Sequence, residues 1–364
     1  MRGASPGTAR QALRRRDPFP GTRGFAGSLD GALVRDVLGR RPVFVDAGVT
    51  PPLGDDDWSF DRSGLDDPRA VPPGTRRDRE TGESDVVWTL PESGPVCDRA
   101  EAVAAVRGAI ERSLAGVDTS GLAVAFSGGV DSALLAARLD VPLYVAGFEG
   151  SHDLEAARTG AELLDREVAV VEFTHDDIRR AVPAIAAATG RTDAMAVQIA
   201  LPLYLVAERV AADGYERLAT GQGADELFGG YAKVARAPED PRVEADTVRG
   251  ARREVLATLP EQAERDVLAL RAAGVEPVAP LVHDAVVEAA LRLPESLLVE
   301  DGERKVALRR AVSAWLPREL TERDKKAAQY GSLAARELDR LARRAGFKRR
   351  MDDHVTKYVE SLVE

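Results

Sequence analysis

Ser127-Gly128-Gly129-Val130-Asp131-Ser132 lies between the apolar run Gly121–Phe126 and a helix-like segment that begins at Ala133. A strand, a glycine-rich turn and a helix N-terminus together form an anion site, because unpaired amide groups and the helix dipole face the ligand. The glycines let a phosphate approach the backbone. Asp131 alone would repel a phosphate, so we predict a bridging Mg²⁺ beside it. No Gly-Lys-Ser/Thr follows, so the loop is not of the Walker form.

Strand-like and helix-like segments alternate outward from this loop, which predicts an α/β fold with a parallel sheet covered on both faces. The strand-like segments are Gly121–Phe126, Val141–Phe148, Glu167–Phe173 and Arg217–Thr220. The helix-like segments are Arg99–Leu114, Ala133–Leu139, Asp153–Asp165, Ala181–Ala188 and Ala200–Ala212. After about residue 240 the pattern is mostly helical. Residues 1–95 are rich in proline, glycine and acidic clusters, with little helical periodicity, and predict a small β-rich region with strands at Ala32–Val37 and Pro42–Val45.

A second glycine-rich motif, Thr220-Gly221-Gln222-Gly223-Ala224-Asp225-Glu226-Leu227-Phe228-Gly229-Gly230-Tyr231, follows the strand-like segment at 217–220. In open α/β sheets, ligands bind at the carboxyl ends of the strands, where Asp225 and Glu226 would lie. Two carboxylates and phosphate oxygens suit Mg²⁺, so we predict that Asp131 and Asp225 share a metal ion. A turn capped by acidic residues, with no ligand, is the alternative.

The first hexapeptide resembles the SGGxDS motif of the PP-loop ATP-pyrophosphatase superfamily. Its members cleave ATP between the α and β phosphates, adenylate a carboxylate or carbonyl oxygen, and let an amine displace AMP. Together the two motifs resemble the synthetase domain of asparagine synthetases, whose signature reads SGxGxDExFGGY. Gln222 stands where that signature has glutamate, at a position that faces the substrate or intermediate in the family. The segment 146–153 resembles the stretch after the second strand of the family, where Ala146 and Gly147 would line the adenine pocket.

The resemblance covers about residues 98–340 and implies a PP-loop ATP-pyrophosphatase fold (adenine nucleotide α-hydrolase-like) with a helical C-terminal part. It implies two regions, 1–95 and 96–364. It also implies a set of residues that contact ATP: Ala125, Ser127, Gly128, Gly129, Asp131, Ser132, Ala146, Gly147, Thr220, Gly221, Gln222 and Gly223.

Lysines are scarce in this chain, and occur at positions 233, 305, 325, 326, 348 and 357. Amine attack on an acyl-adenylate builds negative charge that a positioned ammonium stabilises. The family's catalytic lysine aligns with Lys325, and Lys326 is the second candidate; Glu226 completes the predicted catalytic set. A solvated charge cluster is the alternative interpretation. For Lys305 we expect a structural role.

The N-terminal region resembles the later part of a glutaminase domain. Residues 34–44 resemble its RDxxGxxPLxY segment, and residues 58–61 and 71–75 resemble the stretches that follow. That domain uses an N-terminal cysteine as nucleophile, with its own amine as base. Here Arg2 occupies the second position and Cys97 is the only cysteine. We therefore expect a degenerate, partly disordered remnant without glutamine hydrolysis, and ammonia that is free or supplied by a separate glutaminase; an unrelated β-rich appendage is the alternative.

Composition excludes several other classes. The net charge of −10 disfavours a general nucleic-acid surface. The sequence contains no run of 18 apolar residues, so we expect no membrane-spanning helix. No apolar stretch follows the N-terminal arginines, so we expect no secretory signal and a cytoplasmic protein without membrane or nucleic-acid partners. A single cysteine suits a reducing compartment and excludes a zinc site built on several thiolates.

The leading hypothesis is synthesis of asparagine from aspartate, ATP and ammonia with Mg²⁺, by a possible homodimer. A ligase of the same fold that closes a β-lactam or amidates another carboxylate is the nearest alternative, because of Gln222 and because residues 275–281 lack an arginine that the family carries there. A non-catalytic ATP-binding subunit is a third hypothesis, and an RNA-modifying PP-loop enzyme a fourth.

Overall fold

The computed structural model describes residues 1–237, 239–323 and 330–363, with the backbone alone at 330–333. Lys325 and Lys326 lie outside the described residues. The chain divides into two compact units. The first unit comprises residues 1–117, 221–264 and 279–314, and the second unit comprises residues 118–220, 265–278 and 315–364.

The described part of the second unit is built on a parallel five-stranded sheet, which confirms the predicted fold class. Its strands are β8 (Leu122–Ala125), β9 (Leu143–Gly147), β10 (Val168–Glu172), β11 (Arg217–Ala219) and β12 (Glu276–Val278), in the order β10-β9-β8-β11-β12. Every strand pair is parallel. The register aligns Val124 with Leu143 and Ala219 with Val124, so the carboxyl ends of β8, β9 and β11 lie at one edge.

In the part of the chain that the structure describes, three helices pack against strands of this sheet: α3 (Val130–Arg138), α4 (His152–Leu163) and α6 (Ala194–Ala212). Four more pack on those helices or on one another: α5 (His175–Thr189), α14 (Arg318–Thr321), α15 (Tyr330–Arg344) and α16 (His354–Val363). Each of α4, α5 and α6 begins at a side chain that accepts a hydrogen bond from the first turn, namely Ser151, Thr174 and Asp193. Among the described residues, α6 is the one helix that is long and apolar enough to cross a membrane. However, 56% of its most apolar 18-residue stretch is buried, as in a core helix.

The first unit combines small antiparallel sheets with helices. One sheet has the order β1-β2-β6-β7 and another the order β4-β3-β5. These strands are β1 (Ala26–Leu29), β2 (Ala32–Arg35), β3 (Phe44–Asp46), β4 (Trp58–Ser59), β5 (Pro68–Ala70), β6 (Thr75–Asp78) and β7 (Ser84–Val86). A two-stranded ribbon is formed by β13 (Val299–Glu300) and β14 (Glu303–Arg304). The helices are α1 (Pro6–Arg15), α2 (Arg99–Ala115), α7 (Ala224–Phe228), α8 (Ala232–Ala235), α9 (Val248–Ala257), α11 (Asp284–Leu291), α12 (Glu295–Leu298) and α13 (Val306–Val312).

One helix, α10 (Leu259–Ala272), contributes residues to both units, and a short 3₁₀ turn spans Pro280–Val282. Residues 1–95 form no compact unit of their own, because they group with 96–117, 221–264 and 279–314. The division into a remnant at 1–95 and a synthetase-like region at 96–364 stays a prediction.

Two elements that the sequence did not predict have a clear physical reason. The helix α1 was not expected, because its apolar face consists of small side chains such as Ala9 and Ala12, which are buried. Ser5 caps it and Pro6 occupies its first position, which favours initiation. The strand β12 was also missed, because Pro277 argues against a strand; it is tolerated because β12 is an edge strand of the sheet.

Candidate active site

The loop 127–132 turns sharply between β8 and α3. Gly128 has a φ of +71°, and a Cβ atom there would overlap the carbonyl group of Ala156 in α4. Only glycine satisfies both requirements without strain. The close approach of α4 fixes the path of the loop, so the site is shaped before any ligand arrives.

Hydrogen bonds within the loop hold its two serines together. The Ser127 amide donates to Oγ of Ser132 at 3.1 Å, and that hydroxyl donates to the Gly129 carbonyl at 3.1 Å. Gly129 precedes α3 and has no side chain to cap it, so no capping group stands between the N-terminus of the helix and an anion. Asp131 lies in that first turn, and its Oδ1 atom is buried. These features are those expected of a phosphate-binding loop.

The loop lies at the point where the strand order of the sheet reverses. The chain runs from β8 outward to β9 and β10, then returns to β11 on the opposite side of β8. Ligands in open α/β sheets bind outside the carboxyl ends of the strands at such a point. Four other predicted contacts stand there: Ala125 ends β8, Ala146 and Gly147 end β9, and Thr220 follows β11. Thr220 is held by its amide, which donates to the Val278 carbonyl at 2.9 Å.

The second motif belongs mainly to the first unit, where it forms α7. Gly223 begins this helix with a φ of +90°, and Gly221 and Gln222 precede it, half-buried. Asp225 and Glu226 occupy the first turn. The short helix therefore presents two adjacent carboxylates after a glycine-rich turn, as the sequence predicts.

The two carboxylates have different surroundings. Glu226 is 4% exposed, and the hydroxyl of Tyr231 donates to its Oε1 atom at 2.6 Å. Burial raises the pKa of the Glu226 carboxyl above its ordinary value, and the neighbouring charge of Asp225 adds to the rise. The side chain of Asp225 is 24% exposed, and its Oδ1 atom forms an ion pair with Nζ of Lys305 at 2.7 Å.

Lys305, for which the sequence predicts a structural role, is a buried partner of the second motif. Its side chain is 2% exposed, and its φ of +60° places it in the left-handed region, just before α13. The neighbouring Arg304 donates from Nη1 to the carbonyl of Gly230 at 2.7 Å, so both cations hold the second motif. The rarity of lysine in the chain was the one sequence signal that pointed to Lys305. The local pattern around it is that of an ordinary helix start and gives no indication of burial.

The residues fit a magnesium ion only together with phosphate oxygens. Within the described residues, no group of three or more histidine, cysteine, aspartate or glutamate side chains could hold a metal ion. Magnesium is commonly held by one or two carboxylates and the substrate's phosphates, so this finding leaves the predicted ligands possible. Asp131 belongs to the second unit and Asp225 to the first, and their sharing of one ion stays a prediction.

Comparison with known proteins identifies the family. The model of the family described as asparagine synthase matches residues 104–262 and 236–361. The chain belongs to the asparagine synthase family. Its resemblance to that family, inferred above from two motifs, is thereby confirmed.

Three relatives illustrate the extent of the similarity. A glutamine-hydrolysing asparagine synthetase homologue of Methanocaldococcus jannaschii is 30% identical, over 71% of this chain and 54% of that protein. Asparagine synthetase B of Escherichia coli is 28% identical over 50% of this chain and 33% of its own length. The asparagine synthetase of Brassica oleracea is 26% identical over 56% of this chain and 38% of its own length. The matched part thus spans between a third and about half of these asparagine synthase relatives.

Proposed function

We propose that this chain is an ATP-dependent ligase that amidates a carboxylate through an acyl-adenylate, with aspartate as substrate and asparagine as product. The observation that carries the proposal is the position of the loop 127–132, which lies where the strand order of the parallel sheet reverses, in a chain of the asparagine synthase family. The N-terminus of α3, which has no side-chain cap, suits a departing pyrophosphate.

The proposed reaction has two steps. An oxygen of the substrate carboxylate attacks the α-phosphorus of ATP, the bond from that phosphorus to the bridging oxygen of the β-phosphate breaks, and pyrophosphate leaves into the loop 127–132. Ammonia then attacks the acyl carbon, gives up a proton, and displaces AMP. Lys325, with Lys326 as second candidate, would stabilise the developing negative charge. Glu226 is a candidate proton acceptor, because its raised pKa suits acid–base chemistry.

Asp131 and Asp225 are the residues that would hold Mg²⁺ together with the phosphates. When bound, the ion would neutralise phosphate charge during adenylation. The ion pair with Lys305 reduces the net charge at Asp225, so we expect Asp131 to contribute more to metal affinity.

We further propose that ammonia is free or comes from a separate glutaminase. Cys97 is the only cysteine in the sequence, and it is exposed. A cytoplasmic location and a homodimer complete the proposal. Release of glutamate from glutamine by the purified chain would contradict this part of it.

The decisive experiment measures AMP and pyrophosphate release from ATP with Mg²⁺, aspartate and ammonium chloride, at low and high salt. AMP formation that needs both aspartate and ammonia, with asparagine as product and with loss of activity in Asp131→Asn, supports the proposal. ADP in place of AMP would contradict the adenylation chemistry. ATP binding without AMP formation for any carboxylate would favour a non-catalytic ATP-binding subunit.

A second candidate substrate follows from Gln222. A neutral amide in place of the family's glutamate removes a charge beside the substrate, which favours a different carboxylate, including one whose amidation closes a β-lactam ring. Substrate-dependent ATP–pyrophosphate exchange separates the two candidates, because aspartate supports exchange only in the first case.

A further inference from the structure

A buried ion cluster in the first unit joins the N-terminal region to residues 280–284. The guanidinium of Arg40 lies between two carboxylates: Nε is 2.8 Å from Oδ1 of Asp36, and Nη2 is 2.7 Å from Oδ1 of Asp284. Their side chains are 2%, 0% and 1% exposed. Three charges at this depth are tolerated only when they are paired and hydrogen-bonded, so the geometry of the cluster is tightly constrained.

Backbone hydrogen bonds extend the cluster in both directions. The amide of Thr22 donates to Oδ2 of Asp284 at 2.6 Å, and the amide of Asp284 donates back to the Thr22 carbonyl at 2.8 Å. Nη1 of Arg40 donates to the carbonyl of Val282 at 2.6 Å. The N-terminal region therefore fixes the main chain at Val282 and at Asp284.

Val282 in turn contacts the start of α7. A Cβ atom on Gly223 would overlap Cγ1 of Val282, so the valine side chain lies directly against the glycine that begins the helix. Val282 is 3% exposed, which leaves it little room to shift. The same segment is also held by α2, where Oγ of Ser113 donates to the Pro280 carbonyl at 2.7 Å.

We infer that residues 22–40 act as a clamp that positions α7, with Arg40 as the positioning residue. The chain of contacts runs from Arg40 to the Val282 carbonyl, from the Val282 side chain to Gly223, and from there to the helix that carries Asp225 and Glu226. This gives the N-terminal region a role that needs no glutamine chemistry. The importance of α7 rests on the proposed function, whereas the physical linkage does not.

Hydrogen–deuterium exchange of peptides that cover residues 221–230 tests the linkage without any activity assay. We expect Arg40→Met to speed exchange there about tenfold beyond its effect on global stability, because the helix start loses its support. The matched control is Arg35→Met. Arg35 is equally buried, but it donates to the carbonyls of Val71 and Gly39 and pairs with Glu264 of α10 at 3.9 Å; none of these partners is Val282 or a residue of α7. Unchanged exchange at 221–230 in Arg40→Met, or an equal local increase in both variants, would overturn the inference.

A milder variant keeps the test decisive if Arg40→Met fails to fold. Val282→Ala keeps the side chains of the ion cluster and removes the two methyl groups of the valine, of which Cγ1 lies against Gly223. We expect the same local increase in exchange, and its absence would refute the clamp. Where AMP release is measurable, Val282→Ala should lower kcat/KM per folded molecule several-fold, because Val282 supports the start of the helix that carries Asp225 and Glu226. An inactive wild type would contradict the proposed function but leave the exchange test standing.

Discussion

The ammonium of Lys305 lies 2.7 Å from Oδ1 of Asp225, where the lysine side chain is 2% exposed and the aspartate side chain 24%. The pair joins the start of α13 to the first turn of α7, 80 positions apart in the sequence. A left-handed backbone at a non-glycine residue and a buried ammonium each cost free energy. The attraction to Asp225 and the packing of the lysine stem must offset both costs, so the orientation of Asp225 depends on Lys305.

Removal of this lysine should therefore destabilise the first unit. We expect Lys305→Met to lower the free energy of unfolding by about 2–3 kcal/mol, because Asp225 loses its cation while the methionine keeps most of the buried stem. Urea denaturation measures the change. Lys357→Met, at an exposed position of α16, is the control and should stay within about 0.5 kcal/mol of wild type. Similar values for the two variants would show that the ion pair contributes nothing.

Gly230 makes the Lys305–Asp225 pair possible. A Cβ atom at position 230 would overlap the carboxylate of Asp225 and contact Cε of Lys305. We expect Gly230→Ala to lower the free energy of unfolding by about 1–3 kcal/mol, because the pair must separate or the backbone must shift. In the matched change Gly94→Ala the new methyl group meets no atom within 4 Å, so denaturation should show no loss. If Gly230→Ala unfolded with the same free energy as wild type, the Lys305–Asp225 pair could move away from the new methyl group at no cost.

The buried carboxyl of Glu226 should make stability depend on pH. Its pKa is raised above 4.5 by burial and by the charge of Asp225, so the folded state binds more protons than the unfolded state above that pH. Stability therefore falls as the pH rises from about 4.5 through the raised pKa. Glu226→Gln removes the titration and retains an acceptor for the Tyr231 hydroxyl.

We therefore expect the stability of Glu226→Gln, relative to wild type, to increase between about pH 4.5 and pH 7 in a series of urea denaturations. Glu111→Gln, an exposed change on α2, serves as the control. If both variants altered the dependence of unfolding free energy on pH equally, or if Glu226→Gln left it unchanged, this pH dependence would not come from Glu226.

The sheet and its phosphate loop were predictable because their signals are local. The strand-like segments around Val124, Val145 and Val170 are short apolar runs bounded by turn residues, and the structure has strands there. The loop was visible because strand, glycines and helix follow one another within a few residues. By contrast, β12 carries a proline and α1 buries only small side chains, so local patterns argue against both.

The buried charges were not predictable, for a different physical reason. Arg40 and Asp284 are 244 positions apart, so no local sequence pattern links them. A charged residue in a single sequence also gives no indication that it will be buried. Lys305 likewise precedes a helix in a charged stretch that is typical of a solvated surface. Such residues acquire their roles only when the fold brings a distant opposite charge to them.

The two glycines of the phosphate loop allow a test that separates folding from ligand binding. Gly128 has a positive φ and lies against the Ala156 carbonyl, whereas Gly129 has a φ of −84° and a Cβ atom there would be 3.5 Å from its nearest neighbour, Oγ of Ser127. We expect Gly128→Ala to lower the free energy of unfolding by about 2 kcal/mol or more, and Gly129→Ala to unfold like wild type. Isothermal titration with ATP should nevertheless show at least about tenfold weaker binding in Gly129→Ala, because an added methyl group at the N-terminus of α3 hinders the approach of a phosphate. Wild-type affinity in that variant would place the phosphates away from this loop, even if its stability behaved as expected.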